Sequence, residues 1–171
     1  MLLGMSLETF TLVHVVISLI GIFAGVIVLF GMFGSNKMEG WTALFLATTI
    51  LTSVTGFMFP FEKIGPPHIV GAISLAVLAI TLVALYGYRL AGSWRWIYVS
   101  TAILALYLNV FVGVVQAFVK IPFFNAWAPT QKEPPFAIAQ GLVLLLFIVL
   151  GVIAARSFHP ESGTARALSP A

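Results

Sequence analysis

Two histidines that stand in apolar surroundings, His14 and His68, are the side chains of this sequence best suited to chemistry. A neutral imidazole is a good ligand for haem iron, and it can also share a hydrogen bond with a quinone head group. Ionisable groups inside apolar segments are costly to bury, which makes them candidates for function. We therefore predict that both histidines contribute to a site for haem b or a quinone, and that they are the metal ligands if haem is bound.

Uncharged polar side chains accompany the histidines in the same predicted layer. Asn109 and Gln116 share one face of a predicted helix, because residues seven positions apart lie on the same side. The predicted cofactor-binding residues are His14, His68, Asn109, Gln116, Gln140, Thr52 and Thr55. Together they predict a polar pocket that is open at one end of a helix bundle and suited to a small ligand.

Each of these residues also has a structural interpretation. Threonine and serine in apolar helices often bond to their own backbone. Glutamines can hydrogen-bond across helices, and a histidine near a helix end, such as His68, can cap that helix. The sequence alone leaves both interpretations open.

Long apolar runs are the elements that must position these residues. The chain is 61% hydrophobic and 8% charged, with a mean hydropathy of +1.12. A helix needs about 20 apolar residues to cross a bilayer core of roughly 30 Å, and lipid-facing backbone must satisfy its hydrogen bonds internally. The runs that meet or approach this length are 10–33, 41–59, 69–90, 96–119 and 136–155. We predict an all-α integral membrane protein in which residues 1–156 form a bundle of five transmembrane helices in the lipid bilayer.

The distribution of Lys and Arg predicts how the bundle sits in the membrane. One side of the predicted topology holds Lys37, Arg89, Arg95, Arg156 and Arg166. The other side holds Lys63, Lys120 and Lys132. Cytoplasmic loops carry the excess of positive charge, so we expect the N-terminus outside and the C-terminus in the cytoplasm. The candidate residues then all lie towards the outer side, and the polar residues 157–171 form a disordered cytoplasmic tail.

Two further features bear on location and partners. The phrases TSVTGFMFP and APTQKEPPF resemble those of short bacterial multispan proteins, which implies the plasma (inner) membrane of a bacterium. Gly21 and Gly25 have the GxxxG spacing that lets helices approach closely. This spacing favours packing against a partner helix or against a second copy of the chain.

The composition argues against several classes of protein. Without cysteine there is no disulfide, thiolate metal site or iron–sulfur cluster. The basic residues are scattered singly, so the calculated pI of about 9.5 reflects membrane topology rather than nucleic-acid binding. All carboxylates fall in predicted loops or termini, and no nucleophile–base pair or metalloprotease motif is present. Catalysis is therefore disfavoured.

Three hypotheses of function follow. The leading one is that the outer pocket binds a small ligand or cofactor. The second is a non-catalytic structural or assembly subunit of a larger membrane complex, which suits the small size and the glycine pair. The third is a small-solute transporter or channel; a solute path would need polar residues in the inner half of the bundle, which is almost purely apolar.

Overall fold

A computed structural model describes residues 4–60 and 65–160 of the chain. Within these two ranges the regular structure is helical. The helices are α1 (Leu7–Phe33), α2 (Glu39–Gly56), α3 (Pro66–Leu82), α4 (Trp94–Lys120), α5 (Pro122–Trp127) and α6 (Pro134–Ser157). A π-helical turn, Val83–Gly87, extends α3. Residues 1–3 of the predicted transmembrane domain and residues 161–171 of the predicted tail lie outside the described residues.

Each predicted apolar run corresponds to one long helix, and each helix begins slightly earlier than the run. In α1, α3 and α6 the cause is the chemistry of the first turn. The Ser6 hydroxyl accepts a hydrogen bond from the backbone N–H of Thr9 at the start of α1 (3.1 Å). Prolines occupy the first turns of α3 and α6, where a missing N–H costs least.

Four stretches of the described chain are long and apolar enough to cross a membrane, judged by length and composition. They are α1, α3 with its π-helical turn, α4 and α6. The remaining long helix, α2, is not in this set because threonine and serine interrupt its apolar sequence. The structure thus confirms an all-helical chain with membrane-spanning character.

Neighbouring long helices run antiparallel. Along the hairpin of α1 and α2, Gly25 lies opposite Phe45 and His14 lies opposite Thr55. Helix α4 occupies the centre, in contact with α1, α2, α3 and α6. The ring contact between Tyr107 of α4 and Phe147 of α6, with centroids 5.7 Å apart, belongs to the same antiparallel arrangement. We name the two ends of the bundle the His14 end and the Arg95 end.

The predicted glycine pair packs within the chain. A Cβ atom on Gly25 would lie 2.6 Å from Cδ1 of Leu106 and 2.9 Å from the ring of Phe45. Gly21 is likewise buried, against α2 and α4. Helices of the same chain therefore cover the GxxxG face, where the sequence suggested a partner helix or a second copy.

The Arg95 end is closed by residues that the sequence predicted to begin a disordered tail. Phe158 is fully buried, with its ring centroid 5.7 Å from that of Tyr98. The Arg95 guanidinium donates to the carbonyl oxygen of Phe158, and the Ser35 hydroxyl donates to that of Ser157 at 2.6 Å. Ser157 and Phe158 therefore differ from the predicted disordered tail. The Phe158 ring is buried, and the carbonyl groups of both residues accept hydrogen bonds from the bundle.

Candidate functional site

His14 projects from α1 towards α2 and is half-buried at the His14 end. Its Nδ1 atom lies 2.8 Å from Oγ1 of Thr55. The Thr55 hydroxyl donates its proton to the carbonyl oxygen of Leu51 at 2.7 Å, so towards His14 the same oxygen accepts. In that arrangement Nδ1 carries the ring proton and Nε2 keeps its lone pair. Among the residues that the structure describes, Nε2 has no hydrogen-bond partner.

Aromatic rings and hydroxyl groups surround this imidazole. The Phe59 ring meets the His14 ring edge to face at 5.2 Å, and the Phe10 ring lies 5.0 Å from that of Phe59. Towards the middle of the bundle, the hydroxyl oxygens of Ser18 and Thr52 lie 3.3 Å apart. The surroundings of His14 thus combine an apolar wall with a hydroxyl pair.

One charged group reaches this region. Lys120, the last residue of α4, is close enough to His14 for an electrostatic interaction between its ammonium group and the ring. The cation is exposed at the end of the helix, so it can meet an anionic or strongly polar part of a ligand without a burial cost.

His68 has a different role in the local structure. It lies in the first turn of α3, and its Nδ1 accepts a hydrogen bond from the backbone N–H of Gly65 at 3.3 Å. An Nδ1 that accepts leaves the ring proton on Nε2, which is the opposite tautomer from that of His14. Its ring also lies 5.8 Å from that of Phe57. His68 is thus a helix-capping residue in this structure.

Asn109 lies deeper, at the crossing of α1, α2 and α4. It is 8% exposed, and its Nδ2 atom has no hydrogen-bond partner among the described residues. The position of a Cβ on Gly21 is 3.2 Å from this Nδ2 and 3.1 and 3.3 Å from the hydroxyl oxygens of Thr48 and Thr49. Three polar atoms therefore converge on a glycine in a closely packed layer.

Among the described residues, neither glutamine hydrogen-bonds to His14. Gln140 of α6 is buried, and its Nε2 donates to the carbonyl oxygen of Phe111 at 3.1 Å, which ties α6 to α4. Its Oε1 has no partner in the described part of the chain. Gln116 is exposed on α4. Of the seven predicted site residues, the structure brings together His14, Thr52 and Thr55.

Most hydroxyl groups of α2 are satisfied locally. Those of Thr48 and Thr49 donate to the carbonyl oxygens of Leu44 and Phe45, each at 2.7 Å. Thr55 follows the same pattern, but its oxygen also accepts from His14. The contact with His14 distinguishes Thr55 from a threonine that bonds only to the backbone of its own helix.

The donor chemistry limits what this region can hold. The described residues contain no group of three or more His, Cys, Asp or Glu side chains that could hold a metal ion. A metal centre at His14 would therefore need most of its ligands from elsewhere, as haem iron receives from its porphyrin. An organic ligand needs only the lone pair on Nε2 and the apolar wall beside it.

Sequence reasoning found His14, Thr52 and Thr55 but missed the two phenylalanines. Phe10 and Phe59 are ordinary apolar residues in the sequence, and only the antiparallel pairing of α1 with α2 brings them together. Comparison with known proteins finds no matching family model, no matching curated protein and no matching solved structure. The chemistry of the residues around His14 is therefore the basis for assigning a function.

Proposed function

We propose that this protein is a membrane-embedded ligand-binding protein, and that it holds the head group of a quinol at His14. The observation that carries the proposal is the pair of short contacts at Thr55, which favours a proton on Nδ1 of His14. Nε2 is then an acceptor in apolar surroundings, and a quinol hydroxyl is a matching donor. The rings of Phe10 and Phe59 supply an apolar wall for the head group.

In the proposed topology the chain crosses the membrane five times, with α2 as the fifth span. Four stretches qualify by length and composition. Helix α2 runs antiparallel to α1 from Phe45, opposite Gly25, to Thr55, opposite His14, so it occupies the same depth as α1. At 1.5 Å per residue it is about 27 Å long, close to the thickness of a bilayer core. Its hydroxyl groups cost little because they bond to the backbone or face neighbouring helices.

The proposed orientation places the His14 end outside and the Arg95 end in the cytoplasm of a bacterial cell. The chain has no cysteine, so single cysteines report on each loop without a background. We expect a membrane-impermeant maleimide to label Pro60→Cys and Ala126→Cys in intact cells, but to label Asn36→Cys and Ala91→Cys only after permeabilisation. Labelling of Asn36→Cys and Pro60→Cys from the same side would exclude α2 as a span.

Haem b is the second candidate ligand. A histidine that binds haem iron through Nε2 commonly donates its Nδ1–H to a fixed acceptor, as His14 does to Thr55. The ammonium of Lys120 offers a partner for a haem propionate. The tautomer of His68 does not suit a second axial bond, so haem would be held by one imidazole of this chain.

A ligand analysis of the purified protein separates these candidates. The protein is extracted in mild detergent, its organic extract is analysed for quinones by mass spectrometry, and its visible spectrum is recorded in both redox states. We expect about one quinol per chain, detected as its quinone after extraction. Its amount should fall at least tenfold in His14→Ala and stay the same in the control His159→Ala, which changes an exposed histidine at the other end. A Soret band that depends on His14 would favour haem b, whereas equal quinone content in both variants would refute a His14 site.

A structural or assembly subunit of a larger membrane complex is the other candidate function, and α6 is the observation that favours it. Within this chain α6 buries only Gln140, Phe147 and Ala154, at seven-residue spacing, among its described residues. Many of its other apolar side chains are exposed, among them Ile138, Leu142, Leu145 and Ile148. Purification as part of a hetero-oligomer, with no bound quinone or haem, would favour this alternative over ligand binding.

A further inference from the structure

An apolar groove of about 330 Å³ runs between α4 and α6. Its walls are Ser100, Leu104 and Tyr107 on α4 and Leu144, Ile148 and Val152 on α6. The groove lies on the side of α4 away from the His14 region, which faces α1 and α2. It is therefore a separate feature of the fold.

A glycine forms the floor of the groove. Gly151 contributes no side chain, and a Cβ at that position would lie 3.7 Å from Cγ2 of Ile103, an ordinary contact distance. The ring of Phe147 packs against that of Tyr107 and lines the groove next to Gly151. The groove thus exists because the two helices meet at Gly151, where no side chain fills the surface between them.

The length of the groove matches part of one membrane leaflet. Ser100 and Tyr107, which mark its two ends on α4, are separated by about 10 Å along the helix axis. One leaflet contributes about 15 Å of hydrocarbon, half of the roughly 30 Å core. A helix of a second copy packs along several turns, so it would need a longer surface than the roughly 10 Å that this groove offers.

A cation and an indole stand at the Arg95 end of the groove. Arg156 lies one helical turn beyond Val152 on α6, and Trp96 lies one turn before Ser100 on α4, so each continues a wall of the groove. Arg156 is exposed, and Trp96 is 44% exposed. Tryptophan and arginine at such a position suit the interface between hydrocarbon and head groups, where a guanidinium can pair with a phosphate.

We infer that this groove binds an acyl chain of an anionic phospholipid, whose phosphate pairs with Arg156. The apolar walls suit the acyl chain, and the length of the groove fits within one leaflet. The cation at the open end suits the phosphate. The inference depends on the membrane placement of α4 and α6, but it does not depend on the proposed ligand of His14. The two sites can therefore fail independently.

Lipid retention measured by native mass spectrometry tests the inference. The purified full-length protein is delipidated in detergent and incubated with phosphatidylglycerol or with phosphatidylcholine of the same acyl length. We expect one retained phosphatidylglycerol per chain, and at least tenfold less in Gly151→Leu, which fills the floor. Gly141→Leu is the matched control, because it adds the same side chain to the same helix where no atom lies within 4 Å.

Two further variants keep the test decisive if Gly151→Leu folds poorly. Ser100→Phe narrows the groove from an exposed position on α4, and we expect the same loss of lipid. Arg156→Gln should abolish the preference for phosphatidylglycerol over phosphatidylcholine. The inference is overturned if the same amount of phosphatidylglycerol is retained by Ser100→Phe, Gly151→Leu and Gly141→Leu. A dimer that is lost only in the groove variants would also overturn it, because a second copy of the chain would then occupy the groove.

Discussion

Oγ1 of Thr55 lies 2.8 Å from Nδ1 of His14 and 2.7 Å from the carbonyl oxygen of Leu51. One hydroxyl group therefore links α1 to α2. In the proposed site its single proton is donated to Leu51, which favours a proton on Nδ1 of the imidazole. A threonine bonded only to its own helix would leave His14 free to adopt either tautomer. This contact is the basis of the proposed site, and Thr55 acts in it as a positioning residue.

Replacing Thr55 by valine tests that role. Valine keeps the shape of threonine but removes the acceptor, so we expect quinone binding to weaken about tenfold, within the range seen when a positioning partner of a ligand histidine is lost. Thr55→Ser retains the oxygen and should restore most of the affinity. Binding is measured by titrating a short-chain quinol into detergent-solubilised protein. Equal affinity in the valine and serine variants would contradict the assigned role.

The glycine face of α1 provides a prediction about stability. Gly25→Ala would place a Cβ 2.6 Å from Leu106 and 2.9 Å from Phe45, and both side chains are buried and held in place. We expect a loss of about 1–3 kcal/mol in the free energy of unfolding, as for other overpacked cores. Gly141→Ala is the control, since its Cβ meets no atom within 4 Å and should leave stability unchanged or slightly raised. Thermal unfolding followed by circular dichroism compares the two variants.

The amide nitrogen of Asn109 has no hydrogen-bond partner among the described residues, so here we predict a substitution that does not lower stability. Because Nδ2 makes no hydrogen bond in the described structure, Asn109→Leu should not lower stability and should leave quinone binding unchanged. Asn109→Asp, which places a carboxylate in the same buried position, should cost about 3 kcal/mol. Denaturation midpoints measure both effects. A loss of quinol binding in Asn109→Leu would show that Asn109 belongs to the binding site.

The connection before α6 carries a pH-dependent contact. The Thr130 hydroxyl donates to the Glu133 carboxylate at 2.8 Å, and this bond is the main reason that the pKa of Glu133 is lowered. A carboxylate with a lowered pKa in the folded state favours the folded loop above its ordinary pKa. That contribution is lost as the pH falls through the lowered value.

Thr130→Val should therefore raise the pKa of Glu133 towards its ordinary value, while Thr130→Ser should keep it low. Titration of a 13C-labelled glutamate side chain by NMR gives the midpoint directly. Coincident titration curves for the valine and serine variants would show that the hydroxyl group does not hold this carboxylate.

The sequence predicted the elements of the fold better than their contacts. Hydropathy placed every long helix, because each apolar run is a property of consecutive residues. It overlooked Phe158 as a buried anchor, since an aromatic residue after a helix end has no local signature. Tyr98 shows the same limit: nothing in its local sequence separates it from the nearby Trp96, but Trp96 is exposed and Tyr98 is buried in the core.

The candidate site was predictable only in part, for a related reason. His14 and Thr55 stand out as polar residues in apolar helices, but their contact depends on the register between α1 and α2. His68 and Gln116 met the same sequence criterion. A backbone N–H at the start of α3 engages His68, and the side chain of Gln116 is exposed. Which side of a helix is covered depends on tertiary packing, which the spacing of polar residues does not determine.

The most direct test of the central claim is the 15N NMR spectrum of the His14 ring, assigned by comparison with His14→Ala. The account predicts a protonated Nδ1 and an unprotonated Nε2, with the Nε2 resonance shifting when a short-chain quinol is added. It also predicts that Thr55→Val abolishes this tautomer preference. A proton on Nε2 in the ligand-free protein, or an Nε2 resonance unchanged by quinol, would contradict it.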